Sequence, residues 1–492
     1  MEVYDIVVIG GGSGSQVATA AARQGHEAAV IERGPLGGAC VTRGCVPSKA
    51  LIHRADILHE LRHAGKFGVW TEEAAVDYGE ITSSIHDTVY DKADRQASSL
   101  RDSDGVTLYR GEGRFVDDRT LEIDPVEDGE KRGDGTDGRA DDDRIRGDTV
   151  VIAVGSRPTV PPIDGLEDVA FLTSDDALYL DERPDSLVIV GGGYIGAELG
   201  YFFGAVGAQV SIVGRSDRLV PREDRDVSAV VTDSLEEYCD VYTGFEATSV
   251  RAGDGRVTVT AEPAADDDDG TDDRVELTAG DLLLATGRRP DTDALDLEST
   301  GVETDEKGAV ETDESLETTA DGIWALGDAL GEQPYKHAAD YETKLVAANV
   351  LDDAGKTVDY ETMPHAVFTN PQVASVRRTE AELEADDREY EAVTTPYEAA
   401  PLGLILEADD GFVKAIAGPD GDILGCHIVG PQAATLVHEV VVAMDSAGGT
   451  VDDVAEPVHV HPALNEVIYS AFDELSDATY STAPDWRDVA DG

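Results

Sequence analysis

Tyr4-Asp-Ile-Val-Val-Ile-Gly-Gly-Gly-Ser-Gly-Ser15 opens the chain with an apolar run that stops on clustered glycines. An apolar run of this length, without polar alternation, predicts a strand buried on both faces, as in a parallel sheet. Gly10, Gly12 and Gly14 then predict a tight turn into an alanine-rich helix that reaches Arg23 and ends at Gly25. A second strand is expected from Glu27 to Ile31, finishing at Glu32 with Arg33 next to it. Glycines let the backbone approach a pyrophosphate, and the helix amino terminus favours its charge. Glu32 stands where a carboxylate would accept hydrogen bonds from a ribose. Ser15 takes the place of the usual third glycine, so the helix–strand packing is expected to tolerate a hydroxymethyl group there.

The pattern returns later. Leu187-Val-Ile-Val190 runs into Gly191, Gly193 and Gly196, with Tyr194 inside the turn, a helix to about Ala205 and a strand from Gln209 to Val213. The position equivalent to Glu32 is now Gly214, and Arg215 and Arg218 follow. An acid there favours NADH; its absence beside two cations favours the 2′-phosphate of NADPH, with NADH as the alternative. Leu187 to Val213 is nearly long enough to span a bilayer, but clustered glycines and Glu198 interrupt it, so a strand–helix–strand unit is expected instead. Ile152-Ala-Val-Gly155-Ser-Arg-Pro158 and Leu284-Ala-Thr-Gly287-Arg-Arg-Pro290 are near duplicates, each expected to close one nucleotide domain and cross to the next. Thr319-Ala-Asp-Gly-Ile-Trp-Ala-Leu-Gly327-Asp328 predicts a buried strand ending in a carboxylate suited to a ribityl or ribose hydroxyl.

Two further stretches carry chemistry. Gly38-Ala-Cys-Val-Thr-Arg-Gly-Cys-Val-Pro-Ser48 sets four residues between Cys40 and Cys45, beside a helix expected to begin near Pro47. A helix amino terminus stabilises thiolate and depresses a thiol pKa of about 8.5. His459-Val-His461-Pro-Ala-Leu-Asn-Glu466 places a carboxylate five residues after a histidine, the pattern of an oriented base. Half a metal site would also use two cysteines, but no second ligand cluster accompanies them, and no metal is expected.

Composition bounds the rest. At 492 residues the chain is expected to divide into about three domains. With 38 basic and 102 acidic residues its formal charge is −64. That charge disfavours nucleic acid as a partner and suits a salty cytoplasm, where a Debye length of about 3 Å at 1 M salt screens self-repulsion. Met1 runs directly into a strand without a basic leader, and the four cysteines are too few for a secreted scaffold, so a cytoplasmic protein with no membrane partner is expected. Glu127 to Arg146 and Ala264 to Asp273 read as acidic surface hairpins. From about Met363 the pattern changes, with Phe368-Thr-Asn-Pro and Gly411-Phe-Val-Lys suggesting an antiparallel sheet and Ala433 to Met444 an amphipathic helix.

Taken together, the cysteine motif, both glycine turns, the Ala-Leu-Gly-Asp segment and the His461–Glu466 stretch resemble the class I pyridine nucleotide–disulfide oxidoreductases over roughly residues 3 to 475. These FAD flavoproteins include glutathione reductase, dihydrolipoyl dehydrogenase, mycothione reductase and mercuric reductase. The resemblance implies an α/β fold with two Rossmann-like domains of the three-layer ββα type, binding FAD and NAD(P), and an α+β dimerisation domain. The implied boundaries are 1–157 with 283–355 for FAD, 158–282 for NAD(P), 356–475 for dimerisation and 476–492 for a tail. It further implies that Cys45 lies against the flavin while Cys40 attacks the substrate disulfide. Lys49 would reach the flavin and pair with Glu198, and Tyr194 would cover the nicotinamide pocket. Gly10, Gly12, Gly14, Glu32, Arg33, Gly38, Gly155, Gly287, Gly327 and Asp328 would line cofactor sites. His461, fixed by Glu466, would serve the active site of the other protomer in a homodimer.

Some residues depart from the family pattern. Ala39 replaces a usual threonine, Thr42-Arg43 a common Asn-Val, and Arg377 a common glycine. Arg43 is expected either to bind an anionic disulfide and lower the thiol pKa, or merely to face solvent. Mercuric reductase is disfavoured because the carboxyl-terminal stretch has no cysteine pair, and Gly214-Arg215 argues against dihydrolipoyl dehydrogenase, which nevertheless stays as the alternative. Acidity within this family suggests a haloarchaeal enzyme, whose expected thiol is γ-glutamylcysteine, so reduction of bis-γ-glutamylcystine is the leading expectation. A docking component of a lipoyl-bearing complex and a redox-sensing flavoprotein without turnover are the non-enzymatic readings.

Overall fold

The structure, a computed structural model, describes residues 1–71, 74–126, 144–264, 274–446 and 448–477. The two expected acidic hairpins lie outside the described residues except at their ends, as does the tail from residue 478.

The chain forms two compact units, the first built from Met1–Val213 and Phe245–Asp359. At the centre of its larger sheet runs Glu2–Ile9, paired in parallel with Ala28–Glu32 on one side and Arg144–Ile152 on the other. Val106–Asp117 lies beyond Ala28–Glu32, and Ile323–Ala325 beyond Arg144–Ile152. Registers Ile9↔Ile31, Ile9↔Ile152 and Ala325↔Ile152 make the carboxyl ends of these strands level. The glycine turn, Glu32, Gly155 and Gly327-Asp328 therefore emerge along one edge, where open α/β sheets bind ligands.

Successive side chains of Glu2–Ile9 point to opposite faces. Ile6 and Val8 pack with Val17, Ala21, Leu345 and Val346 under the helices Ser15–Arg23 and Lys336–Asp352. Val7 and Ile9 pack with Phe115, Leu121 and Ile123, because Thr120–Pro125 folds back antiparallel as a further β layer. This is the expected three-layer arrangement.

A second parallel sheet places Ser186–Val190 between Gln209–Gly214 and Asp281–Leu284, with Leu172–Thr173 outside. Between the first two strands runs the helix Tyr194–Ala205, buried from Gly196 to Phe203. The apolar stretch is thus a strand–helix–strand unit. No helix among the described residues is long and apolar enough to cross a membrane. The near-duplicate segments pair with each other: Ser156–Pro158 and Arg288–Pro290 form a two-stranded antiparallel ribbon, with Gly155 and Gly287 at its entrances.

Gly214–Gly244 and the residues from Tyr360 onward form the second unit. Its antiparallel sheet runs in the order His365–Val367, Val373–Arg377, Ile423–Val429, Phe412–Ala417, Glu391–Pro396. Helices Ala433–Ser446 and Asn465–Leu475 cover it through Val437, Val440, Val467, Ile468 and Phe472. Lys414 is buried on this sheet, its ammonium 2.7 Å from Asp224, 2.5 Å from Asp226 and 2.6 Å from Glu380. Arg377 adopts φ +64°, a conformation glycine takes without strain. Its guanidinium donates to the Ile423 carbonyl and pairs with Glu361 at 2.5 Å, contacts that a glycine lacks.

Candidate active site

In the first turn Gly10 has φ +114°, and a Cβ there would lie 2.1 Å from the Ala153 carbonyl oxygen. The close helix–strand packing falls on Gly14, whose Cβ would lie 2.5 Å from Ala153 Cβ and 2.9 Å from Val8 Cγ1. This corrects the expectation for Ser15, whose hydroxyl does not enter that packing and instead donates to the Gly12 carbonyl at 2.8 Å. Gly12 faces Gly38, so two backbones meet without side chains between them. Glu32 accepts from the Gly11 and Gly34 amides at 2.6 and 2.5 Å, which fixes the carboxylate and leaves it lone pairs for a diol. Arg33 pairs with Glu112 at 2.7 Å and with Asp291, in a network that Arg157 extends to Asp291 and Asp293.

Asp328 follows Gly327 at the end of Ile323–Ala325. Ser156 Oγ donates to its carboxylate, and Arg288 Nε donates to Ser156 Oγ at 2.9 Å. The Gly327 amide donates to buried Glu342 at 2.6 Å. Sequence reading missed Ser156, Arg288 and Glu342; the duplicated Gly-x-Arg-Pro segments were the available signal for the first two.

The second turn repeats the first in backbone. Gly191 has φ +127°, its Cβ would lie 2.2 Å from the Ala285 carbonyl oxygen, and one on Gly196 would lie 2.0 Å from the Gly191 carbonyl. Gly193 precedes the helix and Tyr194 is its first residue. Arg215 and Arg218 belong to the second unit; Arg215 is exposed, and Arg218 donates to the Arg225 carbonyl at 3.3 Å.

Cys40 lies in a short helix, Gly38–Thr42, and Cys45 is the first residue of Cys45–His63. That helix starts two residues before Pro47, so the thiol sits in the first turn rather than ahead of it. Both cysteines are free thiols, hydrogen-bonded to each other. The bond from Cys40 lowers Cys45 to about 7, with burial opposing and the Lys49 ammonium assisting. Cys40 moves the other way, raised by holding the shared proton next to Cys45 and by burial. Two interacting thiols titrate as a pair: Cys45 carries the charge and Cys40 the proton. Lys49 reaches buried Glu198 at 2.7 and 3.0 Å. Arg43 Nε is 3.9 Å from Asp175, and the cations acting on the thiols are instead Lys49 and Lys336.

His461, with its side chain 67% exposed, shares a 2.8 Å hydrogen bond between Nδ1 and Glu466 Oε1. The Ala463 amide donates to the other oxygen at 3.0 Å. Burial opposes charge on Glu466, but these two bonds hold its carboxyl below the usual range. A fixed carboxylate on Nδ1 leaves Nε2 as the working nitrogen. His459, two residues earlier, is packed away: its ring pairs with Glu439 and lies 5.2 Å from the Tyr469 ring.

Residues 4–375 match the family described as pyridine nucleotide-disulphide oxidoreductase, and residues 363–472 match its dimerisation domain. The chain belongs to this family. Among its relatives, dihydrolipoyl dehydrogenase 3 of Haloarcula marismortui is 36% identical over 95% of both chains. The mercuric reductase of Streptomyces lividans is 35% identical over 94% of both. The HOCl-induced flavoprotein disulfide reductase RclA of Escherichia coli, solved as a Cu(II) complex, superposes with a TM-score of 0.83 at 25% identity, covering 97% of this chain and all of that one. Haloarchaeal relatives accord with the acidic, halophilic composition.

Membership implies FAD, a pyridine nucleotide and a homodimer. The first unit fits FAD: Gly12 and Gly38 leave an open cradle, Glu32 is held by two amides at the strand end, and Asp328 stands on the same edge. The enzyme class is a flavin-dependent pyridine nucleotide–disulfide oxidoreductase.

Proposed function

We propose that this oxidoreductase uses NADPH to reduce a small disulfide, with bis-γ-glutamylcystine as substrate, in the cytoplasm. The reading rests above all on the hydrogen-bonded Cys40–Cys45 pair beside the Lys49–Glu198 ion pair. Bound FAD would supply the two-electron carrier between nicotinamide and sulfur. The chain's own residues then perform thiol–disulfide exchange. Cys40 passes its proton to Cys45 and, as thiolate, attacks one substrate sulfur, and the bond between the two substrate sulfurs breaks. His461 of the second protomer protonates the departing thiolate, with Glu466 holding its tautomer. Cys45 then attacks Cys40 Sγ, its proton passing to the second substrate sulfur, which leaves as a thiol as the Cys40–Cys45 disulfide closes. Gly10, Gly12, Gly14, Glu32, Gly38 and Asp328 line the FAD site in this reading, and Gly191, Gly193, Tyr194 and Gly196 the nicotinamide site. On the sequence pattern, Arg215 and Arg218 favour the 2′-phosphate of NADPH. The division at 157/158, 282/283 and 355/356 is the matching domain assignment.

Dihydrolipoyl dehydrogenase is the second reading, favoured by haloarchaeal relatives of that name at 34–36% identity. It would run the same sulfurs in reverse, oxidising dihydrolipoamide with NAD. A substrate panel in molar KCl separates the two. The proposal expects a higher kcat/KM for bis-γ-glutamylcystine with NADPH than for lipoamide with NADH; the opposite order selects the second reading.

A further inference from the structure

Gly38–Thr42, the five-residue helix that carries Cys40, is too short to supply partners for its own last carbonyls. One of these, the Thr42 carbonyl, is met from outside: Tyr179 Oη donates to it at 2.7 Å across 137 positions of sequence. Burial, with Tyr90 adding to it, raises the Tyr179 hydroxyl above its ordinary range, so it stays protonated and keeps donating. The Tyr179 ring is held edge-on by the helix Tyr78–Arg101, with centroids 5.5 Å from His86 and 6.0 Å from Tyr90. Thr42 is itself buried, and its hydroxyl donates back to the Gly38 carbonyl at 3.0 Å. Beyond Arg43, the Gly44 carbonyl accepts from the Ser48 amide at 3.0 Å, in the first turn of Cys45–His63. Arg43, between these two points, stands 3.9 Å from Asp175, four residues before Tyr179. The segment joining the two sulfurs is thus fixed at both ends, to Tyr179 through Thr42 and to the second helix through Gly44.

We propose that Tyr179 is a positioning residue for the Cys40–Cys45 couple: its hydrogen bond to Thr42 orders the intervening segment in the dithiol and so favours closure of the disulfide. This rests on the thiol relay proposed above and deepens it, by naming what sets the reducing strength of the pair. Closure forms the bond between Cys40 Sγ and Cys45 Sγ, releases two protons and passes two electrons to the oxidant, which in turnover is the substrate disulfide. It also removes whatever freedom residues 41–44 have in the open pair. Where that segment is already ordered in the dithiol, the entropy is lost on folding rather than on closure, and the disulfide is favoured. The open pair here is ordered in this way, because the free thiols share a hydrogen bond while Tyr179 holds the chain between them. A stronger tendency to close makes the dithiol a stronger reductant of the substrate disulfide. Acting through the Thr42 backbone, Tyr179 bears on this equilibrium and takes no part in proton transfer.

The test measures the fraction of closed Cys40–Cys45 in the FAD-loaded holoenzyme, equilibrated with graded mixtures of dithiothreitol and its cyclic disulfide. Acid quenching, alkylation and peptide mass spectrometry count the free thiols without turnover. Tyr179→Phe keeps the ring against His86 and Tyr90 and removes only the donor. It should lower the closure constant by about threefold to tenfold, the entropy of ordering part of one backbone residue, so that the midpoint moves toward a larger share of cyclic disulfide. Tyr90→Phe, which takes a hydroxyl from the same aromatic group, should leave the midpoint at the wild-type value even where its Tm falls. An unmoved midpoint in Tyr179→Phe, or an equal movement in both variants, overturns the proposal. If Tyr179→Phe does not fold, hydrogen exchange across residues 41–44 of the wild type decides: similar protection in dithiol and disulfide supports an ordered open segment, and markedly faster exchange in the dithiol overturns it. The relay and its tether fail separately. A wild-type pair that never closes removes both, whereas normal closure with an unmoved Tyr179→Phe midpoint removes the tether alone.

Discussion

Cys45 and Cys426 are the same side chain in opposite surroundings. Cys426 lies on the central strand Ile423–Val429 with no exposed surface, and burial, followed by the charge of Glu439, pushes its thiol up to about 12. Cys239, at the start of Cys239–Thr243, is likewise pushed to about 12 by burial and then by Asp240. Cys45 is exposed, and although its partial desolvation still opposes charge, it falls to about 7, because Cys40 donates a hydrogen bond to its sulfur and Lys49 adds positive charge. Desolvation acts on all three thiols in the same direction. Exposure and neighbours together decide which one ionises near neutral pH.

The largest expected effect separates these roles outright. Cys45→Ser should cut turnover by roughly 10⁴-fold or more, because the relay sulfurs act as a unit, while the folded protein keeps its flavin spectrum. Cys426→Ala should leave kcat/KM near wild type and cost about 1 kcal/mol of stability, read as a fall in Tm. Full steady-state activity in Cys45→Ser would erase the distinction.

Alkylation kinetics give the next contrast. In reduced protein, Cys45 should label with a midpoint near pH 7, rising with pH as thiolate forms. Cys239 and Cys426 should label about 10³-fold more slowly in native protein and equalise with it only in denaturant. Equal native rates would mean that burial does not protect them.

Lys49→Met should make Cys45 more like its buried counterparts. Loss of a nearby positive charge disfavours thiolate, so the midpoint should rise by about one unit and labelling at pH 7 fall by about tenfold. The imidazoles repeat the contrast on a smaller scale. His427 is wholly buried, and burial lowers its pKa, while exposed His461 is fixed by Glu466. Glu466→Gln should lower kcat about threefold to tenfold and alter its pH profile, whereas His427→Gln should act on Tm without moving that profile.

The most legible features in the sequence were those with short-range spacing. The glycine turns, the cysteine pair and the His461–Glu466 step each lie within one local segment, and the structure gives them the expected backbone. Pairings across long sequence separations were harder to see. Lys49–Glu198 came only through family resemblance. Ser156 on Asp328, separated by 172 positions, and Ser13 on Asp340, by 327, were not anticipated. Lys336 and Asp340 did carry a local signal, an opposite-charge pair four residues apart, but such pairs are ordinary on exposed helix faces. Ser15 shows the reverse case. Its neighbour Gly14 supplied the needed absence of a side chain, so a motif position counted as a departure cost the fold nothing.

By itself the sequence determined the order of strand, helix and strand around each glycine turn, the closeness of Cys40 to Cys45 and the acidic character of the chain, because periodicity, backbone conformation and net charge are local or additive properties. Only the tertiary structure decided which carboxylate Lys49 meets, which glycine bears the helix and which thiols are buried. Those outcomes depend on distance and desolvation, which arise only when segments far apart in the chain are packed together.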